Sequence, residues 1–166
     1  YGDPPVLDGT TAFSVTGLQG MDDILSVTLD APDYTAGDPV GVYAIEASDA
    51  VPAPGNAFSY VYVYVDGELE VTPLGLTVTG ATADNKVFDG NTDATITGGT
   101  LATPLVGDDV YLENNTTGTF AQATVGTGIN VTTAPMTLAG DDAGNYTLTQ
   151  PTLSADITPL EICIDG

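Results

Sequence analysis

The sequence predicts an all-β protein, and three observations carry that reading. Short segments alternate apolar and polar residues with a period of two, the spacing that puts one face of a strand inward. Thr, Val, Gly and Asp dominate, and no stretch shows the 3.6-residue period of a long helix. Gly, Asp, Asn and Pro punctuate the alternating segments at short intervals, as turns between strands do.

In chain order, the first expected strands are TAFSVTG at 11–17, ILSVTLD at 24–30 and GVYAIEA at 41–47. One helical turn is expected over GMDDIL at 20–25, where Asp22 or Asp23 is a fair N-cap. The strongest strand signal is AFSYVYVYV at 57–65. Phe58, Tyr60, Tyr62 and Tyr64 fall on one face, and Val61, Val63 and Val65 on the other. Both faces are apolar enough to bury, which predicts a central strand. Asp66-Gly67 then predicts a tight hairpin into GELEV, with Leu69 and Val71 inward and Glu68 and Glu70 outward. Further strands are expected at 76–81, 94–97, 109–113, 119–124, 129–133, 145–149 and 153–158.

The chain also repeats itself. GVYAI at 41–45 matches GNYTL at 144–148, and LEVTPL at 69–74 matches ADITPL at 155–160. YGDP at 1–4 resembles FDGN at 88–91. Pro73 and Pro159 stop the closing strand of each repeat, because proline cannot continue a ladder. The expected organisation is therefore two tandem β modules, 1–74 and 75–160, each an Ig-like sandwich or a β-grasp-like roll. Residues 161–166 are a linker or the start of a following module. Repetition of this kind points to an array in which each unit contacts its neighbours.

Composition narrows the function classes. The 166 residues carry 23 acids against one basic residue, Lys86, for a net charge of −22. Such a surface repels nucleic acid and anionic membrane, since both are gripped by Lys and Arg. Hydrophobic residues make up 42% of the chain, enough for a core, so the acidity is not that of a disordered tail. No apolar run is long enough to span a membrane as a helix. The chain has no His, which excludes Ser-His and Cys-His nucleophile arrangements. Cys163, the sole cysteine, forms no internal disulfide and reads as a small hydrophobe within EICI. The expectation is a protein that is not an enzyme.

The stretch DNKVFDGNTDAT at 84–95 holds the one basic residue and a D-x-N-x-D spacing, Asp89, Asn91 and Asp93. An EF-hand needs a bidentate acid at its twelfth position, and here that position is Thr100. A calcium site outside that class remains an alternative, with Asp84, Asp89, Asn91, Asp93 and Asp156 as the candidate ligands. The reading the residues favour is a tight turn, since Asp and Asn side chains bond nearby backbone amides. Lys86 beside Asn and acids also holds the ingredients of a Lys–Asn cross-link, which requires a desolvated neutral lysine. Its flanking polar residues favour a surface ion pair instead. An exposed Tyr60/Tyr62/Tyr64 face would stack on sugars, against the simpler reading of half-buried strand residues.

YGDPP, GVYAI and GELEVTPL resemble the MBG (YGX-type) repeat over residues 1–74. DNKVFDGNTDATI, LVGDDVYL, GTGINVT, LAGDDAGNYTL and ADITP resemble the YDG repeat over residues 75–160. Phe88 stands where the latter usually has Tyr, and the chain is poorer in Lys and Arg. The resemblance implies a large bacterial cell-surface or secreted adhesin-like protein, in which such repeats form stalks or spacers. It implies an extracellular location and partners that are neighbouring repeats or copies of the chain. Calcium-dependent binding of surface glycans is the alternative expectation.

Overall fold

The computed structural model describes residues 1–55 and 60–165. The fold is all-β: the described residues form fourteen strands and one three-residue 3-10 turn, Ala143–Asn145. No helix among them is long and apolar enough to cross a membrane. The chain divides into two compact units, Tyr1–Thr72 and the part from Pro73 on.

The first unit contains β1 (Ile24–Asp30), β2 (Gly41–Pro52) and β3 (Gly67–Val71). β1 pairs antiparallel with the second half of β2, from Ile24↔Pro52 to Asp30↔Glu46. β3 pairs antiparallel with the first half, from Gly41↔Val71 to Ile45↔Gly67. Two register shifts interrupt the β1–β2 ladder near Ser26, where Asp49 on the facing strand takes a left-handed φ of +48°. The core of this unit is small: Ala31, Tyr34 and Val71 are buried, with Tyr1, Leu7, Tyr43 and Leu69 packed against them. The Tyr34 and Tyr43 rings tilt against each other at 5.0 Å. Their hydroxyls donate to the carbonyls of Asp3 at 2.8 Å and Pro39 at 2.6 Å, so each ring buries its body and still satisfies its polar tip.

Several expectations fail in this unit. Residues 11–17 form no strand: the backbone there leaves a turn in which the Ala12 amide donates to the Asp8 carbonyl. The Asp8 carboxylate accepts from the Thr10 amide and from the Thr10 and Thr11 hydroxyls at the start of this stretch. No helical turn forms at 20–25, because Ile24 already opens β1 and only the Asp22 amide turns back, to the Gln19 carbonyl. Of the expected central strand, 57–59 lie outside the described residues, and 60–65 belong to no ladder. Val61 and Val63 are 93% and 84% exposed, so the valine face is not buried. Gly67 consequently does not begin the return arm of a hairpin with 60–65; its strand pairs with β2 instead. The inward Val71 and outward Glu68 and Glu70 do match the alternation.

The second unit contains β4 (Leu74–Thr79), β5 (Thr82–Ala83), β6 (Lys86–Val87), β7 (Asp93–Thr97), β8 (Thr100–Leu101), β9 (Tyr111–Glu113), β10 (Thr117–Phe120), β11 (Gly126–Thr133), β12 (Thr137–Ala139), β13 (Tyr146–Thr149) and β14 (Leu153–Thr158). Its main sheet has the order β5-β7-β10-β11-β14-β6. A second sheet has the order β13-β4-β8, and β9 and β12 form a separate pair. Alternation fills the space between the layers. Ala94 and Ile96 point inward from β7, Ile129 and Val131 from β11, and Leu153, Ala155 and Ile157 from β14. Val78 and Leu148 of the second sheet and Leu112 of β9 pack onto them. Phe120, Ile96 and Ile157 are the fully buried side chains at the centre. Two ladders are parallel: Tyr146↔Leu74 to Thr149↔Thr77, and Ile157↔Lys86 with Thr158↔Val87. They join the opening strands of the unit to its closing strands.

Candidate functional site

Residues 84–95 form a clamp where the second unit opens. β6 lies at the edge of the main sheet, beside β14, and places Lys86 next to the turn that follows. Gly90 takes φ +82°, a conformation open to glycine at little cost, and so reverses the chain. Around it the side chains bond inward. The Asn91 amide donates to Asp89 Oδ1 at 3.1 Å, and Asn91 Nδ2 donates to Asp89 Oδ2 at 3.0 Å. The Asp93 amide donates to Asn91 Oδ1 at 2.9 Å. Lys86 Nζ donates to the Asn91 carbonyl at 2.9 Å and to Asn91 Oδ1 at 2.8 Å, and pairs with Asp89 Oδ1 at 2.9 Å. The same ammonium lies 5.5 Å from the centroid of the buried Phe120 ring. The Lys86 hydrogen bond and the Asn91 amide hold the Asp89 carboxyl below the usual carboxylate range.

The arrangement brings together three of the five candidate metal ligands and disperses the others. Asp89, Asn91 and Asp93 share one turn, and the lone basic side chain, Lys86, sits against the oxygens of the first two. Asp84 accepts from Thr97 Oγ1 at 3.2 Å. Asp156 accepts from the Gly128 amide at 2.7 Å. No group of three or more acidic, His or Cys side chains suited to a metal ion occurs among the described residues. Lys86, Asn91 and Asp89 are also the three groups a Lys–Asn cross-link would use, but Asp89 is a stabilised carboxylate rather than a protonated acid. Chemically the turn is a charge-assisted staple. Asn85 adds a further tie, accepting from the Asp156 amide at 2.8 Å, and the Phe88 amide donates to the Thr158 carbonyl at 2.8 Å.

One polar centre was not singled out by the sequence pattern. At one corner of the second unit, buried Tyr146 donates from its hydroxyl to Asp108 Oδ2 at 2.7 Å and accepts from the Leu105 amide at 3.0 Å. Burial, and then the Asp108 bond, push its pKa up. The neighbouring Asp109 amide donates to Asp142 Oδ2 at 2.8 Å and Asp109 Oδ2 accepts from the Asp141 amide at 3.4 Å, so Asp109 and Asp142 tie the two turns together. Gly140 (φ +111°) runs so close to Asp109 that a Cβ there would lie 2.2 Å from the Asp109 carbonyl oxygen. The tyrosine of the G-x-Y motif, close to two Asp-Asp pairs, is the signal that foreshadows this corner.

In the first unit a cleft of about 960 Å³ is lined by Val27, Leu29, Ile45 and the tyrosines of 60–65. Tyr60 Oη donates to Asp22 Oδ2 and accepts from the Gln19 amide at 3.1 Å. Tyr64 Oη accepts from the Ala50 amide at 2.9 Å. Two of the three tyrosine hydroxyls thus stitch 60–65 to the rest of the unit, and the Tyr62 hydroxyl is buried.

No curated protein matches the chain, and no solved structure does. The stretch that contains the clamp and the tyrosine corner, residues 72–153, matches the YDG domain family.

Proposed function

We propose that the chain is a structural repeat segment of an extended bacterial cell-surface or secreted adhesin-like fibre, serving as stalk, spacer or self-assembling unit. The observation that carries this reading is the joint between repeats. β3 ends at Val71 and β4 begins at Leu74, so only Thr72 and Pro73 separate a closing strand from the next opening strand. Side chains with the chemistry of reaction are spent on turns: Lys86, Asp89 and Asn91 on the opening clamp, Tyr146 and Asp108 on the corner. A net charge of −22 suits a chain exposed to salt and divalent cations. The similarity of residues 72–153 to the YDG domain supports the same role.

Antibodies raised against the purified chain test this proposal on cells that produce the protein. Labelling of intact cells or of the culture medium, abolished by brief external protease treatment, is the expected result. Labelling that appears only after permeabilisation rejects it.

A further inference from the structure

The core face of the first sheet is filled at one end and open at the other. Tyr43, Leu69 and Val71 pack into the small core. Ile45 and Ala47 follow Tyr43 on the same face of β2, and the register sets Leu29 of β1 opposite Ala47. Here the aliphatic floor is only half-buried, and the cleft of about 960 Å³ lies over it. Small-molecule sites span about 300–1,000 Å³, so the cleft is of ligand size. Segment 60–65 forms one wall: its valines are exposed, and Tyr60, Tyr62 and Tyr64 line the cleft. Asp22, Gln19 and Ala50 hold the Tyr60 and Tyr64 hydroxyls, which fixes those two rings. The Tyr62 hydroxyl is buried with no hydrogen-bond partner among the described residues. Exposed Asp66 lines the cleft as well. The first unit contains no Lys, Arg or His.

We propose that this cleft binds a small amphipathic ammonium ion, with its apolar body on the aliphatic floor and its cationic end among the tyrosines. Tyrosine faces attract a cation through the ring quadrupole. Donation from the Tyr60 hydroxyl to the Asp22 carboxylate makes that ring richer in electrons, and Asp66 adds a full negative charge to the lining. An N–H donor on the ligand gives the Tyr62 oxygen the partner it lacks. An anion finds no basic side chain in this unit and is repelled by its acids. A sugar fits less well. Two of the three tyrosine hydroxyls are already engaged, and Leu29, Ile45 and Ala47 would leave sugar hydroxyls without partners. The site is a property of the first unit and does not depend on the stalk role.

Fluorescence titration of the full chain with dansylcadaverine tests it. This probe carries a naphthalene body and one primary ammonium, and its emission brightens in apolar surroundings. Its N-acetyl derivative keeps the body and loses the charge. In about 150 mM NaCl, long-range attraction to the acidic surface is screened. The amine should then bind saturably at one site per chain, on the order of fivefold more tightly than the acetylated probe. Ala47→Phe, which fills the floor, should weaken both probes by about fivefold or more, and Ile45→Trp should do the same. Circular dichroism of each variant separates a filled cleft from a lost fold. Asp66→Asn should reduce the preference for the amine about twofold. Asp33→Asn removes an equal charge from a residue that does not line the cleft, and should leave the preference unchanged. Equal affinity for the two probes overturns the proposal. So does the same loss from Asp33→Asn as from Asp66→Asn, or undiminished binding by a folded Ala47→Phe or Ile45→Trp chain.

Discussion

Asn91 does the most bonding of any residue in the opening clamp: its amide oxygen accepts from Lys86 and from the Asp93 amide, while its own donors go to Asp89. Asn91→Ala removes that oxygen and costs about 1 kcal/mol, in the range of a lost cap, read as a lowered urea midpoint. Lys86→Met, which keeps an apolar stem, should be less harmful than Lys86→Ala. A second residue-scale prediction concerns acid. Asp8 accepts from the Thr10 hydroxyl at 2.6 Å and the Thr11 hydroxyl at 2.7 Å. Those bonds, with the Thr10 amide, lower its pKa to about 2. The folded value lies below the unfolded one of ~3.9. Its contribution is therefore present above pH ~4 and lost as pH falls toward 2. A carboxyl titration by NMR should place Asp8 well below the usual carboxylate range, and Asp8→Asn should flatten that part of the acid limb. D-x-N-x-D was legible as a turn because Asx side chains compete locally for backbone amides. Who fills the turn was not legible, since the placement of Lys86 against it depends on β6 lying beside β14, a contact across about 70 positions of sequence.

Among the elements, the strands that sequence periodicity located best are those with one buried face. ILSVTLD and LSADIT occupy Ile24–Asp30 and Leu153–Thr158, as expected. The expected strand at 119–124 is shifted: β10 is Thr117–Phe120, and the chain leaves the ladder after the Phe120 side chain enters the core. The conspicuous failure is 60–65, the described part of the expected strand at 57–65. Alternating Tyr and Val give a strong strand propensity, but a strand needs a neighbour, and tyrosine hydroxyls fix 60–65 through Asp22, Gln19 and Ala50 instead. Propensity describes a fit to a pleated surface and says nothing of which surface is available. Phe120 is the element-scale test of the core. It is 2% exposed. Phe120→Ala should cost about 3–5 kcal/mol and raise hydrogen exchange throughout β7, β10 and β11, while the amides of β1 and β2 keep their protection.

For the molecule as a whole, charge is the governing quantity. With 23 acids and one lysine, like-charge repulsion opposes folding in dilute buffer and fades as the Debye length shrinks. Raising NaCl from 10 to 500 mM should raise the melting temperature by roughly 5 °C. CaCl2 at matched ionic strength should do the same if screening is the whole effect. A calcium increment that saturates at submillimolar concentration would instead identify a bound ion. The all-β class was legible because it follows from local periodicity. The two parallel ladders were not, since nothing local marks residues that meet only after the whole unit is traced.

Those ladders have a mechanical consequence. Tension along the backbone enters the second unit at Leu74 and leaves at Thr158. The strands at those ends, β4 and β14, are paired in parallel with β13 and β6. Pulling β4 or β14 along its own axis slides it past its partner, so the evenly spaced bonds of a parallel ladder bear the load together. In the first unit the closing strand β3 is antiparallel to β2 and can peel one bond at a time. A single chain stretched between its ends should therefore rupture in two events, the first unit yielding at the lower force.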